Sequence, residues 1–274
     1  MTPGPGWLDE LHFAVGPPWH AMGTRSLPEQ DWLIADGSRA EELALKDRLL
    51  RSARDEVSVC LPGAEAAATE AAELVARATG VDLDRARPPL EAAALVVQED
   101  LCVLLARDGR WRLEAGVVCF PSMWRLSDKL GLPITAIHAR VPAYEDELAR
   151  RVDTFLDRLR PDRPVWRRNW FVHDSPDLHL LEAPPPRPDL RIPDDLWLRS
   201  ERQTLRRLAE SDGVLFTIRT QQVPLSVLAE RPDVAARLAA VVAGWSPELI
   251  GYRHAEPWRG ELLRWLTELV SALR

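Results

Sequence analysis

The 274 residues carry 35 Lys plus Arg against 42 Asp plus Glu, a net charge of −7. That balance excludes a general binder of nucleic acid or anionic membrane, which needs a basic face. Three widely spaced cysteines, Cys60, Cys102 and Cys119, with no C-x-x-C between them, argue against a closed zinc site, a thioredoxin motif and an iron–sulfur cradle. Unpaired thiols fit a reducing compartment. Neither a leader sequence nor a membrane-length apolar stretch stands out, so the expected location is cytoplasmic and soluble.

Residues 1–40 are rich in Pro and Gly and hold Trp7, Trp19 and Trp32. They read as a lead-in that wraps the body through aromatic anchors, with His12 and His20 as surface or packing residues. Residues 39–53 have leucines at helical spacing and predict an amphipathic helix; the Ala-rich run 65–79 predicts a second, ended by Gly80. Residues 94–98 (ALVVQ), 101–106 (LCVLLA) and 111–119 (WRLEAGVVC) have strand character. Glu99-Asp100 and Arg107-Asp108-Gly109-Arg110 separate them as turns, the second with Asp-Gly at its centre. Three strands so joined predict an antiparallel meander, hence an α+β fold.

Residues 119–144 read CFPSMWRLSDKLGLPITAIHARVPAY. A helical turn over 124–130 is expected to stop at Gly131, after which an apolar run presents His138. Pro142 suits a helix start. A histidine in such a run fits two roles: an axial ligand, because neutral imidazole in an apolar surround suits iron, or a core residue satisfying backbone groups. Spacing alone prefers the core role, since one histidine defines no metal site.

Residues 144–159 form a clear amphipathic helix pattern, and Pro161 and Pro164 end it. In 165–172 (VWRRNWFV) strand alternation places Trp166, Arg168 and Trp170 on one face and Arg167, Asn169 and Phe171 on the other. The Pro-rich stretch 175–195 predicts an irregular excursion or lid. Residues 198–208 (LRSERQTLRRL) predict a helix, with Ser200 and Gln203 as a capping box. Residues 213–220 (GVLFTIRT) predict a strand with Leu215, Thr217 and Arg219 on one face. Residues 223–274 are helical, broken at Pro224, Pro232, Pro247 and Pro257. His173, His179 and His254 rank below His138 as ligands. No G-x-G-x-x-G, G-x-x-x-x-G-K or G-x-S-x-G pattern occurs, which disfavours familiar nucleotide loops and the hydrolase elbow.

The phrases CFPSMW, DKLG, IHARVPAY, RRNW and SERQTLRRL…VLFTIRT, in this order, resemble the heme-dependent oxidative N-demethylase family over roughly residues 19–252. The resemblance implies heme b in a PAS-like antiparallel sheet with flanking helices. It also implies one heme-binding domain, with residues 1–40 as its wrap and 223–274 as a helical extension. Without C-x-x-C-H, such a heme would have no thioether links. His138 becomes the expected iron ligand, with Arg168, Trp170 and Trp124 as cofactor-binding residues. Asn169, Glu201 and Arg219 become expected catalytic residues, Glu201 to hold a cationic amine.

Each of these has a bland alternative. The Arg168–Trp170 strand could be a solvated edge, Glu201 and Gln203 exposed helix formers, and Arg219 an outward cation. An inward Arg219 must meet an anion, a propionate or Glu201. The implied chemistry is oxidation of a small, dimethylamine-like secondary amine by O2. Electrons would come from a partner reductase or ferredoxin-type subunit, since no electron-transfer motif is present. The rival functions are a heme-based gas or redox sensor and a non-catalytic helper that kept the fold.

Overall fold

The computed structural model describes residues 4–13, 23–138, 146–185, 187 and 189–271, with 146–150 as backbone only. Trp19, His20, Pro142 and Tyr144, all singled out from sequence, lie outside the described residues.

Seven strands form one open sheet: β1 (Arg25–Ser26), β2 (Ser58–Cys60), β3 (Asp100–Arg107), β4 (Arg110–Val117), β5 (Val165–His173), β6 (Trp197–Arg207) and β7 (Val214–Pro224). Their order is β1-β5-β6-β7-β3-β4-β2, and every pairing is antiparallel. The fold is the expected α+β, a PAS-like antiparallel sheet with flanking helices and a helical C-terminal region. Asp108 and Gly109 both take positive φ, +51° and +72°, as a two-residue hairpin turn between twisted strands requires.

The register divides the sheet into two faces. The front carries Cys102, Leu104, Trp111, Leu113, Leu205, Val214 and Ile218, covered by Leu126 and by Leu156 of α6 (Asp146–Asp157). The back carries two larger cores. One packs Leu101, Val103, Leu105, Ala115, Val117 and Leu215 against α1 (Arg39–Ser52), α3 (Glu65–Thr79) and α4 (Pro89–Ala94). The short α2 (Arg54–Val57) leads from α1 into β2. The other core packs Trp170, Val172 and Leu198 against α7 (Pro232–Ala243) and α9 (Arg259–Ser271). Between those two helices lies α8 (Pro247–Tyr252), whose Ser246 hydroxyl accepts the Leu249 N–H as an N-cap. Pro232 and Pro247 start helices, where a missing N–H costs nothing.

The described lead-in residues cross the back face: Trp7, Leu8 and Leu11 join the C-terminal core, and β1 pairs with β5. Among the described residues no helix is long and apolar enough to cross a membrane.

Two expected elements are corrected. Residues 94–98 are not a strand; α4 runs to Ala94 and a turn follows. Gln98 and Glu99 are buried there because their side chains, not their backbones, form the ladder: each accepts a backbone N–H, from Asp36 and Ile34. The meander is therefore a β3–β4 hairpin set in a larger sheet.

Residues 198–208 are strand β6, not a capped helix. Arg, Glu and Gln favour helices in isolation, but β6 lies between β5 and β7 with both backbone edges paired, and tertiary pairing overrides that preference. Its charged residues are tolerated because each meets a specific partner. Arg202 donates to the carbonyls of Asp31 and Trp32, and Arg206 binds Glu29 while lying over the Trp32 ring.

Candidate functional site

His138 reaches the front face through the edge of β4. Residues 131–133 run beside that strand: the Gly131 N–H donates to Leu113 O, and the Leu113 N–H to Leu132 O. Gly131 takes φ +70° and ends the turn before it. Pro133 then starts the single-turn helix α5 (Ile134–Ile137), and His138 is its C-terminal cap. Ile134 and Ile137 pack on the front-face core. The His138 Nδ1–H donates to the Ile134 carbonyl at 2.8 Å, so Nε2 is the nitrogen that would bind a metal. Burial, reinforced by the Lys129 and Arg167 charges, lowers the imidazole pKa and keeps the ring neutral, the form that ligates a metal.

Glu201 and Asn169 stand directly opposite one another on β6 and β5, and Gln203 and Arg167 form the next pair on the same face. The Glu201 carboxylate is held at both oxygens: Ser122 Oγ–H donates to Oε1 at 2.8 Å, and Gln203 Nε2 donates to Oε2 at 3.0 Å. Asn169 Oδ1 accepts the Trp170 N–H at 3.0 Å. Arg167 is largely buried, its pKa lowered by burial and partly restored by Glu201. Its Nε has no hydrogen-bond partner, and no ion pair forms within 4 Å among the described residues. Its charge acts on both His138 and Glu201. Trp124 packs on the same front core, with Lys129 Nζ 4.1 Å from its ring centroid.

The front face thus brings together His138, Trp124, Asn169 and Glu201. The other three expected residues project from the back. Arg168 binds Glu10 at 2.6 Å and donates to Ser200 and Gln221, each at 3.1 Å. Trp170 donates its indole N–H to His12 O and stacks on Trp245 at 6.4 Å. Arg219 is 1% exposed and meets Glu42 at 2.8 Å and Asp36 at 2.6 Å. The anions it needs are therefore carboxylates of α1 and the lead-in, not Glu201 or a front-face ligand. The physical reason is parity: Arg167 and Arg168 are consecutive on one strand and must point apart.

Sequence reasoning overlooked Arg167 and Ser122 as site residues. Parity against Asn169 would have indicated Arg167; Ser122 carried no signal, because its contact spans 79 residues of chain. Of the other histidines, His173 shares this face of β5, and its buried Nε2 has no hydrogen-bond partner among the described residues. His179 donates to Cys119 O at 2.8 Å, and His173 is buried with its pKa pushed down to about 3 by burial and the Arg199 and Arg253 charges.

Among the described residues no group of three or more His, Cys, Asp and Glu gathers as a metal cage. A metal at His138 would therefore take its remaining ligands from a macrocycle or solvent. A neutral buried imidazole and an unpaired buried guanidinium on one apolar face suit an anionic, iron-bearing macrocycle, the imidazole for iron and the guanidinium for a carboxylate edge. The model of the family described as haem-dependent oxidative N-demethylase, alpha subunit-like, matches residues 77–263, well over half the chain and spanning the whole front-face group, and the chain belongs to that family.

Proposed function

We propose that the chain, as one heme-binding domain, demethylates a small secondary amine of the dimethylamine kind in the cytoplasm. It would use heme b, O2 and electrons from a separate reductase or ferredoxin-type subunit. The observation that carries this reading is the Glu201 carboxylate, fixed at both oxygens on the same face as His138 in a member of this family. The net change is monooxygenation: the secondary amine, O2, two electrons and two protons become the primary amine, formaldehyde and water.

Heme, when bound, supplies the oxidation chemistry. The residues of this chain supply ligation, charge and exclusion of water. His138 offers a neutral nitrogen to iron, and Arg167 offers its unpaired cation to a propionate. Glu201 binds the ammonium of the substrate as a charge-assisted hydrogen bond, because a cation leaving water needs an anionic partner. Ser122 and Gln203 hold the carboxylate still, so the amine is oriented by a rigid acceptor. Asn169, opposite Glu201, adds an amide to the same rim. Leu205, Ile218 and Phe216 form an apolar floor that excludes bulk water and strengthens that ion pair.

The test is an anaerobic titration of the heme spectrum with dimethylamine, followed by aerobic turnover with a surrogate reductase and assay of formaldehyde. A spectral response and stoichiometric formaldehyde are expected. Reversible O2 binding with neither response nor formaldehyde would replace this reading with a gas sensor.

A further inference from the structure

The segment from Cys119 to Met123 has no regular structure, yet its backbone groups are held chiefly by side chains and by the Pro-rich excursion. The N–H groups of Cys119 and Phe120 donate to the two oxygens of Asp100, at 3.0 and 2.8 Å. The Cys119 carbonyl accepts from His179 at 2.8 Å. The carbonyls of Phe120 and Pro121 both accept from Arg199 Nη2, at 2.9 and 3.0 Å. The Met123 N–H donates to Leu180 O at 2.6 Å, and the Leu180 N–H returns to Pro121 O. Met123 itself sits at φ +60°, an uncommon backbone state for a residue with a side chain, kept only where the surroundings over-determine it.

Arg199 is the joint of this construction. It is 1% exposed and forms no ion pair among the described residues; its two terminal nitrogens donate to four carbonyls, Phe120 and Pro121 on one segment and Asp177 and Leu178 on the other, while its buried Nε has no hydrogen-bond partner there. Its planar fork binds the 119–123 segment and the excursion to β6 at once, a geometry an ammonium cannot reproduce. Arg199 lies two residues before Glu201 on the same strand and face. The segment it grips carries Ser122, whose hydroxyl fixes Glu201.

We propose that Arg199 is a positioning residue for Glu201, acting by locking the 119–123 segment so that the Ser122 hydroxyl meets the carboxylate. The consequence for amine binding rests on the reading of Glu201 given above; the positioning itself does not. A loosened segment lets Ser122 withdraw, leaving the carboxylate with Gln203 alone and free to rotate.

The experiment compares heme-loaded wild type with Arg199→Lys, His179→Ala and Ser122→Ala. The readout independent of amine is the infrared carboxylate stretch of Glu201, isolated as the difference from Glu201→Gln. Arg199→Lys should move that band in the direction Ser122→Ala moves it and speed amide exchange at Phe120 and Met123. It should raise the half-saturating dimethylamine concentration about tenfold, the worth of one hydrogen bond to a charged group. Heme content should not change. His179→Ala, which removes one bond from the same segment, should give a smaller shift of the same sign and serves if Arg199→Lys does not fold. An unmoved Glu201 band in the folded variants would overturn the proposal. A band that moves while wild type ignores dimethylamine would support the positioning role and overturn the amine reading.

Discussion

Glu201 and Arg219 lie on neighbouring strands, one step apart in register, and point to opposite faces of the sheet. Glu201 pairs across with Thr220, and Arg219 with Arg202, so the acid faces His138 while the cation faces α1. The two charges therefore differ in their partners: Glu201 is held by Ser122 and Gln203 and serves a ligand only in the proposed function, whereas Arg219 is consumed by the fold.

Replacement of Arg219 by Met should cost about 3 kcal/mol of stability, because Glu42 would be left buried without its cation. Heme content of the folded protein should not change. Chemical denaturation followed by helical ellipticity measures the first and heme per chain the second; loss of heme at unchanged stability would return Arg219 to the site.

Arg167 and Arg168 should give opposite results although they are adjacent. Arg167→Leu removes a buried, unpaired guanidinium, so apo-protein stability should hold or rise while heme affinity falls about tenfold or more. Arg168→Leu breaks the contacts to Glu10, Ser200 and Gln221 and should lower stability by about 2 kcal/mol with heme affinity intact. Heme titration of both variants, beside their unfolding curves, checks the pair.

His138→Ala should abolish heme retention while the sheet persists, because the Nδ1 hydrogen bond it removes is local, to Ile134 on its own turn. A variant that purifies with full heme and an unchanged Soret band would remove His138 from iron. The depressed imidazole pKa adds a pH signature. With the neutral ring favoured in the fold, ligation should survive as pH falls through the ordinary histidine range and fail only at more acid values.

His173 should make the protein acid-labile. Its folded pKa, about 3, lies below that of an exposed histidine near 6.5. Above pH 6.5 both states hold the ring neutral and nothing is lost. Between about pH 6.5 and 3 the unfolded chain takes up a proton that the fold refuses, so stability falls throughout that window. His173→Phe should flatten this limb of the stability–pH curve, measured by unfolding midpoints between pH 4 and 8 on a scale of about one unit. An identical limb in the variant would assign the acid sensitivity to other groups.

The sequence by itself determined the elements whose signal is local. The Asp108-Gly109 turn, the stop at Gly131, the Ala-rich helix ended by Gly80 and the proline-started C-terminal helices all follow from backbone preferences of a few residues. Alternation along 165–172 was legible for the same reason, and ordered phrases along the chain were enough to indicate the family.

Only the tertiary structure decided what β6 is and which face matters. Residues 198–208 have the composition of a helix, and nothing within them reveals that β5 and β7 occupy both of their edges. Parity was known strand by strand, but whether the Arg167 side or the Arg168 side meets His138 depends on which face receives the 119–138 segment. That choice is set by contacts remote in sequence: 131–133 on β4, Ser122 on Glu201, and Arg199 across two loops. Backbone preference acts over a turn or a strand, whereas a site made of side chains from separate strands exists only once the sheet has chosen its register.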